Sequence, residues 1–173
     1  PAQGAKVALF DLNAERGEKV AAEIGGLVVP CDVTSEASVD EALAKARASQ
    51  GVARILVNCA GIAPGRRIVS KKRETGELVA HDTALFEKAL AINLTGTFRM
   101  LAKSAAALAA LEPVTADGGR GVFICTASIA AEDGQIGQAA YAASKAGVVG
   151  MTLPIARELA ASGIRVMTIM PGL

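Results

Sequence analysis

Lys6-Val-Ala-Leu-Phe-Asp11 carries a continuous apolar run of strand length, closed by an acid. A run without polar alternation reads as a strand buried on both faces, which is how a parallel sheet between helices reads. Outward from it, Asn13 or Asp11 can cap a helix from Ala14 to Ile24, and Gly25-Gly26 ends that helix. A second strand, Leu27 to Cys31, runs into Asp32-Val33, and Thr34 or Ser35 caps a helix reaching to about Ala48. Ile55-Leu-Val57 is a third strand and leads into Asn58-Cys-Ala-Gly61. Strand alternating with helix predicts an α/β fold with a doubly wound parallel sheet.

The rest of the chain continues the alternation after an interruption. The stretch Ile62 to Asp82 is long, polar and basic for a connection, and such loops are usually functional or mobile. Thr83 to Leu111 is helical in pattern but broken near Asn93-Leu-Thr-Gly96, and Glu112 to Arg120 reads as a second loop. Val122-Phe-Ile-Cys125 is a strand, Ala139 to Ala161 a long helix, and Ile164 to Ile169 the last strand. With 173 residues, 51% of them hydrophobic, one domain over residues 1–173 is the expectation.

Composition excludes several functions. Lys and Arg number 18 against 17 Asp and Glu, so the net charge of +1 leaves no footprint for nucleic acid. Basic residues cluster only at Arg66-Arg67 and Lys71-Lys-Arg73, as a solvated loop or as a contact for a phosphate-bearing substrate. His81 is the only histidine, so a histidine-based metal site has no partners, and no metal is expected. Cys31, Cys59 and Cys125 lack a Cys-x-x-Cys spacing and read as reduced, buried small hydrophobes of a cytoplasmic protein. No apolar run reaches the roughly 18 residues of a membrane span. The chain opens at Pro1 without a methionine, as if its beginning were absent.

The chemistry concentrates between Ser128 and Lys145. Tyr141 and Lys145 are four residues apart, hence one helical turn apart on the same face. A phenol titrates ordinarily near about 10, so proton exchange near neutrality needs a cation that favours the phenolate. Lys145 can be that cation, and Ser128, at the end of the preceding strand, can hold a substrate oxygen for the same transfer. The three suit carbonyl reduction or alcohol oxidation. Tyr141 is the only tyrosine, and a glycine-punctuated loop, Ala131 to Gln138, precedes it. Ser144 reads as helix surface.

At these residues the sequence resembles the short-chain dehydrogenase/reductase family: Ser128, Tyr141-x-x-x-Lys145, Pro171-Gly172, with Asp11, Asp32-Val33, Asn58-Cys-Ala-Gly61 and Asn93 in order. Within it, the stretches 134–141, 150–157 and 163–169 resemble the type II 3-hydroxyacyl-CoA dehydrogenases, which also carry insertions at 62–82 and 112–120. The resemblance implies a Rossmann-type sheet and a hydride exchanged between NAD and a secondary alcohol, with 3-hydroxyacyl-CoA as substrate and hydroxysteroids as further ones. Tyr141 would be the general base or acid, Lys145 would also hold the nicotinamide ribose, and Asn93 would link Lys145 to solvent through water. Asn93 read locally is a helix-breaking cap. Asp11, on position alone either ribose ligand or cap, would accept from the ribose 2′-hydroxyl and so favour NAD over NADP. Asp32 and Val33 would contact adenine, and Asn58, Cys59, Ala60 and Gly61 would line the cofactor with Pro171 and Gly172. Cys59 departs from the family's Asn-Asn-Ala-Gly.

The family's glycine-rich phosphate loop and its strand would precede Gly4 and are not in the sequence. The expectation is therefore a partial chain, with a slot through its sheet, unpaired strand edges there, no pyrophosphate site, and no substrate segment beyond Leu173. A homotetramer is expected from the family and from the small residues on several faces of the helix 139–161. Rival readings are a 3-oxoacyl thioester reductase, against which Asp11 argues, and a non-catalytic dinucleotide-binding or structural subunit, which would have lost Ser128, Tyr141 or Lys145.

Overall fold

Strand β1 (Ala8–Asp11) and strand β2 (Leu27–Pro30) run parallel, joined by helix α1 (Ala14–Ile24). The structure, a computed structural model, describes residues 4–172. The expectations about Leu173 and about what precedes Gly4 lie outside the described residues. Asn13, not Asp11, caps α1, its side chain accepting from the Arg16 N–H, and left-handed Gly25 ends it. Gly17 of α1 packs on the Val28 side chain, while Val29 points the other way into a cluster with Val39 and Ala42 of helix α2 (Glu36–Gln50). Successive strand residues face opposite sides, so α1 and α2 cover opposite faces of β2 and the sheet is doubly wound.

Strand β3 (Ile55–Asn58) pairs with β6 (Gly121–Thr126), and β6 with β7 (Ile164–Ile169), all parallel. Helix α3 (Thr83–Leu90) runs through a π turn, Ala91–Gly96, into helix α4 (Thr97–Ala109); α5 (Ala139–Ala160) joins β6 to β7. Leu101, Ala105 and Leu108 of α4 and Val148 of α5 bury against Phe123 and Cys125. Leu56 touches this cluster and the one beneath α2, and so ties them together.

Three sequence expectations need revision or completion. The stretch 62–82 is not a bare loop: β4 (Val69–Lys71) and β5 (Leu78–Ala80) form an antiparallel hairpin. Three-residue strands inside a basic segment leave no run that periodicity can detect. Burial on both faces does not hold for β3, where Ile55 is 62% and Val57 52% exposed. The helices pack the Leu56–Phe123–Val166 row, leaving the alternate row of Ile55, Val57 and Met167 uncovered among the described residues. Among the described residues β1–β2 and β3–β6–β7 are separate hydrogen-bonded sheets, where the sequence predicts one doubly wound sheet with a gap.

Phe123 is fully buried, and truncating such a residue costs transfer energy plus a cavity. Urea titration of Phe123→Ala should show a loss of about 3–5 kcal/mol. Ile55→Ala, at a half-open position, should lose under about 1 kcal/mol. Equal losses would show that the exposed row is covered in solution.

Candidate active site

Within β1–β2 and within β3–β6–β7 all strands run parallel, so in each sheet the segments that follow the strands leave from one edge. Those edges collect Asp11 after β1, Asp32-Val33 after β2, Asn58 to Gly61 after β3, Ser128 after β6 and Pro171-Gly172 after β7. Residues far apart in sequence become neighbours there.

Lys145 is 6% exposed, near the start of α5, and its Nζ donates to the Thr126 carbonyl at 2.6 Å. The same Nζ lies 5.7 Å from the centre of the Tyr141 ring, one turn back on the helix. Burial pushes the ammonium below the ordinary lysine range, while the nearby Cys59 and Cys125 sulfurs act weakly in the opposite direction. No carboxylate pairs with it among the described residues. The cation therefore faces the half-buried phenol with little competition for its charge.

Ser128 is extended and opens a 3-10 turn, Ile129–Ala131, where its Oγ accepts from the Ala130 N–H at 3.2 Å. That contact uses a lone pair and leaves the hydroxyl proton for an incoming oxygen. The Ile129 N–H donates to the Pro171 carbonyl at 3.0 Å, which ties the serine segment to Pro171-Gly172.

Asn93 sits in the π turn with no exposure at all. Its Oδ1 accepts from the Ile62 N–H at 2.8 Å, and its Nδ2 donates to the Ile62 carbonyl at 2.8 Å and to Ser144 Oγ at 2.9 Å. Both amide hydrogens are thus spent, so the side chain has none to give a water. A relay to Lys145 would have to use the Asn93 carbonyl, which already accepts from Thr97 Oγ1 at 2.7 Å. Neither is Asn93 a helix cap, since the chain continues through it as helix. Gly61 closes the group: a Cβ there would stand 3.1 Å from Asn93 Oδ1 and 3.7 Å from Lys145 Nζ. A side chain at this position would press on Asn93 and come into contact with Lys145.

The remaining residues divide between open and structural positions. Asp11 is exposed and spends Oδ1 on the Asn13 N–H at 2.9 Å, with Oδ2 unengaged among the described residues. Asp32 accepts from the Thr34 hydroxyl and N–H at 2.7 and 2.8 Å, and these bonds, with Arg99 nearby, hold its carboxyl below the usual range. Val33 presses on Gly96, where a Cβ would come within 2.7 Å, and its carbonyl accepts from Arg99. Asn58 turns its amide into the core toward Cys125 Sγ at 3.7 Å, so only its backbone is left to face a ligand. Ala60 and Cys59 are exposed. Cys31 and Cys125 are buried as the sequence suggests; Cys59 is not, because it leaves β3 into the site, 3.9 Å from Thr126 Oγ1.

Sequence reasoning missed Thr126, Ile62 and Arg99, which act through backbone contacts or long reach. It also misplaced Ser144, which is fully buried rather than on the helix surface. The α5 sequence is apolar or small on several faces, so periodicity does not separate its inner from its outer side. Among the described residues no three His, Cys, Asp or Glu side chains gather as a metal site, and no helix is long and apolar enough to cross a membrane.

A family model described as short chain dehydrogenase matches residues 1–173. The 3-hydroxyacyl-CoA dehydrogenase type-2 of Drosophila melanogaster is 50% identical over 99% of this chain and 66% of its own length. The Homo sapiens protein of the same name is 49% identical over 99% of this chain and 64% of its own length. A crystal structure of 3-hydroxyacyl-CoA dehydrogenase type-2 from Mycobacterium avium superposes with a TM-score of 0.87 at 42% identity, covering 99% of this chain and 66% of that one. The chain thus spans just under two thirds of the length of these relatives.

Because burial depresses the Lys145 ammonium, the folded state binds its proton less tightly than the unfolded state does. Below the folded value the buried charge is a full penalty, which is relieved as pH rises toward the unfolded value near about 10.4. Lys145→Met removes the penalty, so its melting temperature minus that of the parent should be largest near neutrality and shrink toward about pH 10. Differential scanning measurements with no such slope would mean that the ammonium is fully compensated.

Proposed function

The chain belongs to the short chain dehydrogenase family, and on that premise we propose that the protein oxidises a 3-hydroxyacyl-CoA to the 3-oxoacyl-CoA with NAD. The observation that carries the reading is the buried Lys145 ammonium held 5.7 Å from the Tyr141 ring, at the carboxyl edge of a parallel sheet. The residues on that edge suit a nicotinamide dinucleotide. Asp11 offers a free carboxylate oxygen to ribose hydroxyls and would repel a 2′-phosphate, and Gly61 leaves the backbone open to close approach. When bound, the nicotinamide supplies the hydride acceptor.

The chain's own residues handle the proton and the substrate oxygen. Ser128 donates its free hydroxyl proton to that oxygen, and Tyr141 takes the alcohol proton as general base, or returns it in reduction. Lys145 favours the phenolate and offers its remaining hydrogens to ribose hydroxyls. Two features support a CoA thioester. The relatives described above carry that substrate in their names, and exposed Arg66, Arg67, Lys71, Lys72 and Arg73 flank the site. The Arg66 N–H donates to the Gly137 carbonyl at 2.8 Å, fixing this basic segment to the loop that leads into Tyr141.

NADH formation from NAD and 3-hydroxybutyryl-CoA by the intact protein tests the reading, with Tyr141→Phe beside it. Turnover in the parent should fall by about 10²-fold or more in the variant, the typical contribution of a positioned acid–base group. Turnover that survives the substitution would remove Tyr141 from the mechanism, and none in the parent with NAD still bound would redirect the search to other alcohols.

We also propose a homotetramer. Phe98, Ala102 and Ala106 expose one stripe of α4, and Ala146, Gly150 and Leu153 one stripe of α5, as small or apolar surfaces fit for helix packing. Sedimentation of the intact protein should give four times the chain mass, and a monomer would overturn the assignment.

A further inference from the structure

We propose that Ser144 is a positioning residue, which clamps Asn93 so that Lys145 stays in register with Tyr141. Its hydroxyl has one proton and donates it to the Tyr141 carbonyl at 2.7 Å. Toward Asn93 it can then only accept, which it does from Nδ2 at 2.9 Å. The Ile62 N–H and carbonyl fix the other contacts of the amide, so only one orientation of Asn93 satisfies all its neighbours. Ser144 and Asn93 are both fully buried, so no solvent replaces a lost partner.

The clamp reaches the reacting groups through geometry. A Cβ at Gly61 would be crowded by Asn93 Oδ1, at 3.1 Å, and in ordinary contact with Lys145 Nζ, at 3.7 Å, so Asn93 forms one wall of the space beside the ammonium. Ser144 itself is bonded to the backbone of Tyr141 and is the chain neighbour of Lys145. Without its oxygen, one Asn93 hydrogen is orphaned, the amide turns toward another acceptor, and the wall beside Lys145 moves. An ammonium farther from the phenol favours its ionised form less.

The inference rests on the proton-transfer roles proposed above for Tyr141 and Lys145. Its test is the pH dependence of kcat for alcohol oxidation by the intact protein, for the parent, Ser144→Ala and Ser144→Thr. Ser144→Ala should lower kcat about tenfold, equivalent to ~1.4 kcal/mol, and move the acid limb up by about one pH unit, with KM for NAD nearly unchanged. Ser144→Thr, which keeps the hydroxyl, should return the limb toward the parent position. A Ser144→Ala profile that overlays the parent after scaling would overturn the proposal, because a smaller folded fraction scales the rate without moving the limb. The second measurement needs no variant and no turnover: the Asn93 side-chain amide protons of the parent, followed by NMR in D2O, should exchange slowly. Fast exchange would overturn the clamp even if the protein is inactive on every substrate tried, or if Ser144→Ala does not fold.

Discussion

A buried ammonium without a carboxylate partner is the constraint on which this site depends. Removing a charge from water is costly unless it is hydrogen-bonded, and Lys145 has one short bond, to the Thr126 carbonyl. That carbonyl sits at the end of β6 because β6 is paired on both sides, by β3 and by β7. The helix that carries Lys145 is held against the same sheet by Val148 and its neighbours. The ammonium therefore has a fixed place and unspent hydrogens, and it stands 5.7 Å from the centre of the Tyr141 ring.

The π turn at Ala91–Gly96 is the second organising feature. Widening the helix by a residue frees backbone groups locally, and the chain uses the change in two directions. Asn93 turns inward to Ile62 and Ser144, beside Lys145. Gly96 and Arg99 meet Val33, at the end of β2 where the adenine side of a dinucleotide would lie. One irregular turn thus braces Val33 on one side and Ile62 and Ser144 on the other, an arrangement in keeping with the frequent placement of π turns at functional sites.

The basic segment shows the same economy. As a free loop it would sample many conformations, but the β4–β5 pairing orders it and the Arg66–Gly137 contact ties it to the loop that leads into Tyr141. Lys72 is partly neutralised by Glu77, at 2.6 Å, leaving the other cations available to an anion.

Much of the fold was legible in the amino-acid sequence, because it rests on local rules. Apolar runs marked β1, β2, β3 and β6, side-chain caps marked where α1 and α2 begin, and the bounds of α1 and β7 agree with the structure. The break at Asn93 to Gly96 was visible as a disturbance of pattern, though not as a π turn. The spacing of Tyr141 and Lys145 puts them on one helical face, since i and i+4 meet there. The hairpin within 62–82 escaped, because three-residue strands carry no readable period. By itself, then, the sequence determined the order of strands and helices and the one pair of groups that a single helix brings together. Only the tertiary structure decided how deep Lys145 lies, that Thr126 holds it, that Asn93 spends its amide on Ile62 and Ser144, and that Cys59 is open while Asn58 is not. Those outcomes are distances between residues remote in the chain, set by how the strands stack and cross, and no local propensity encodes them.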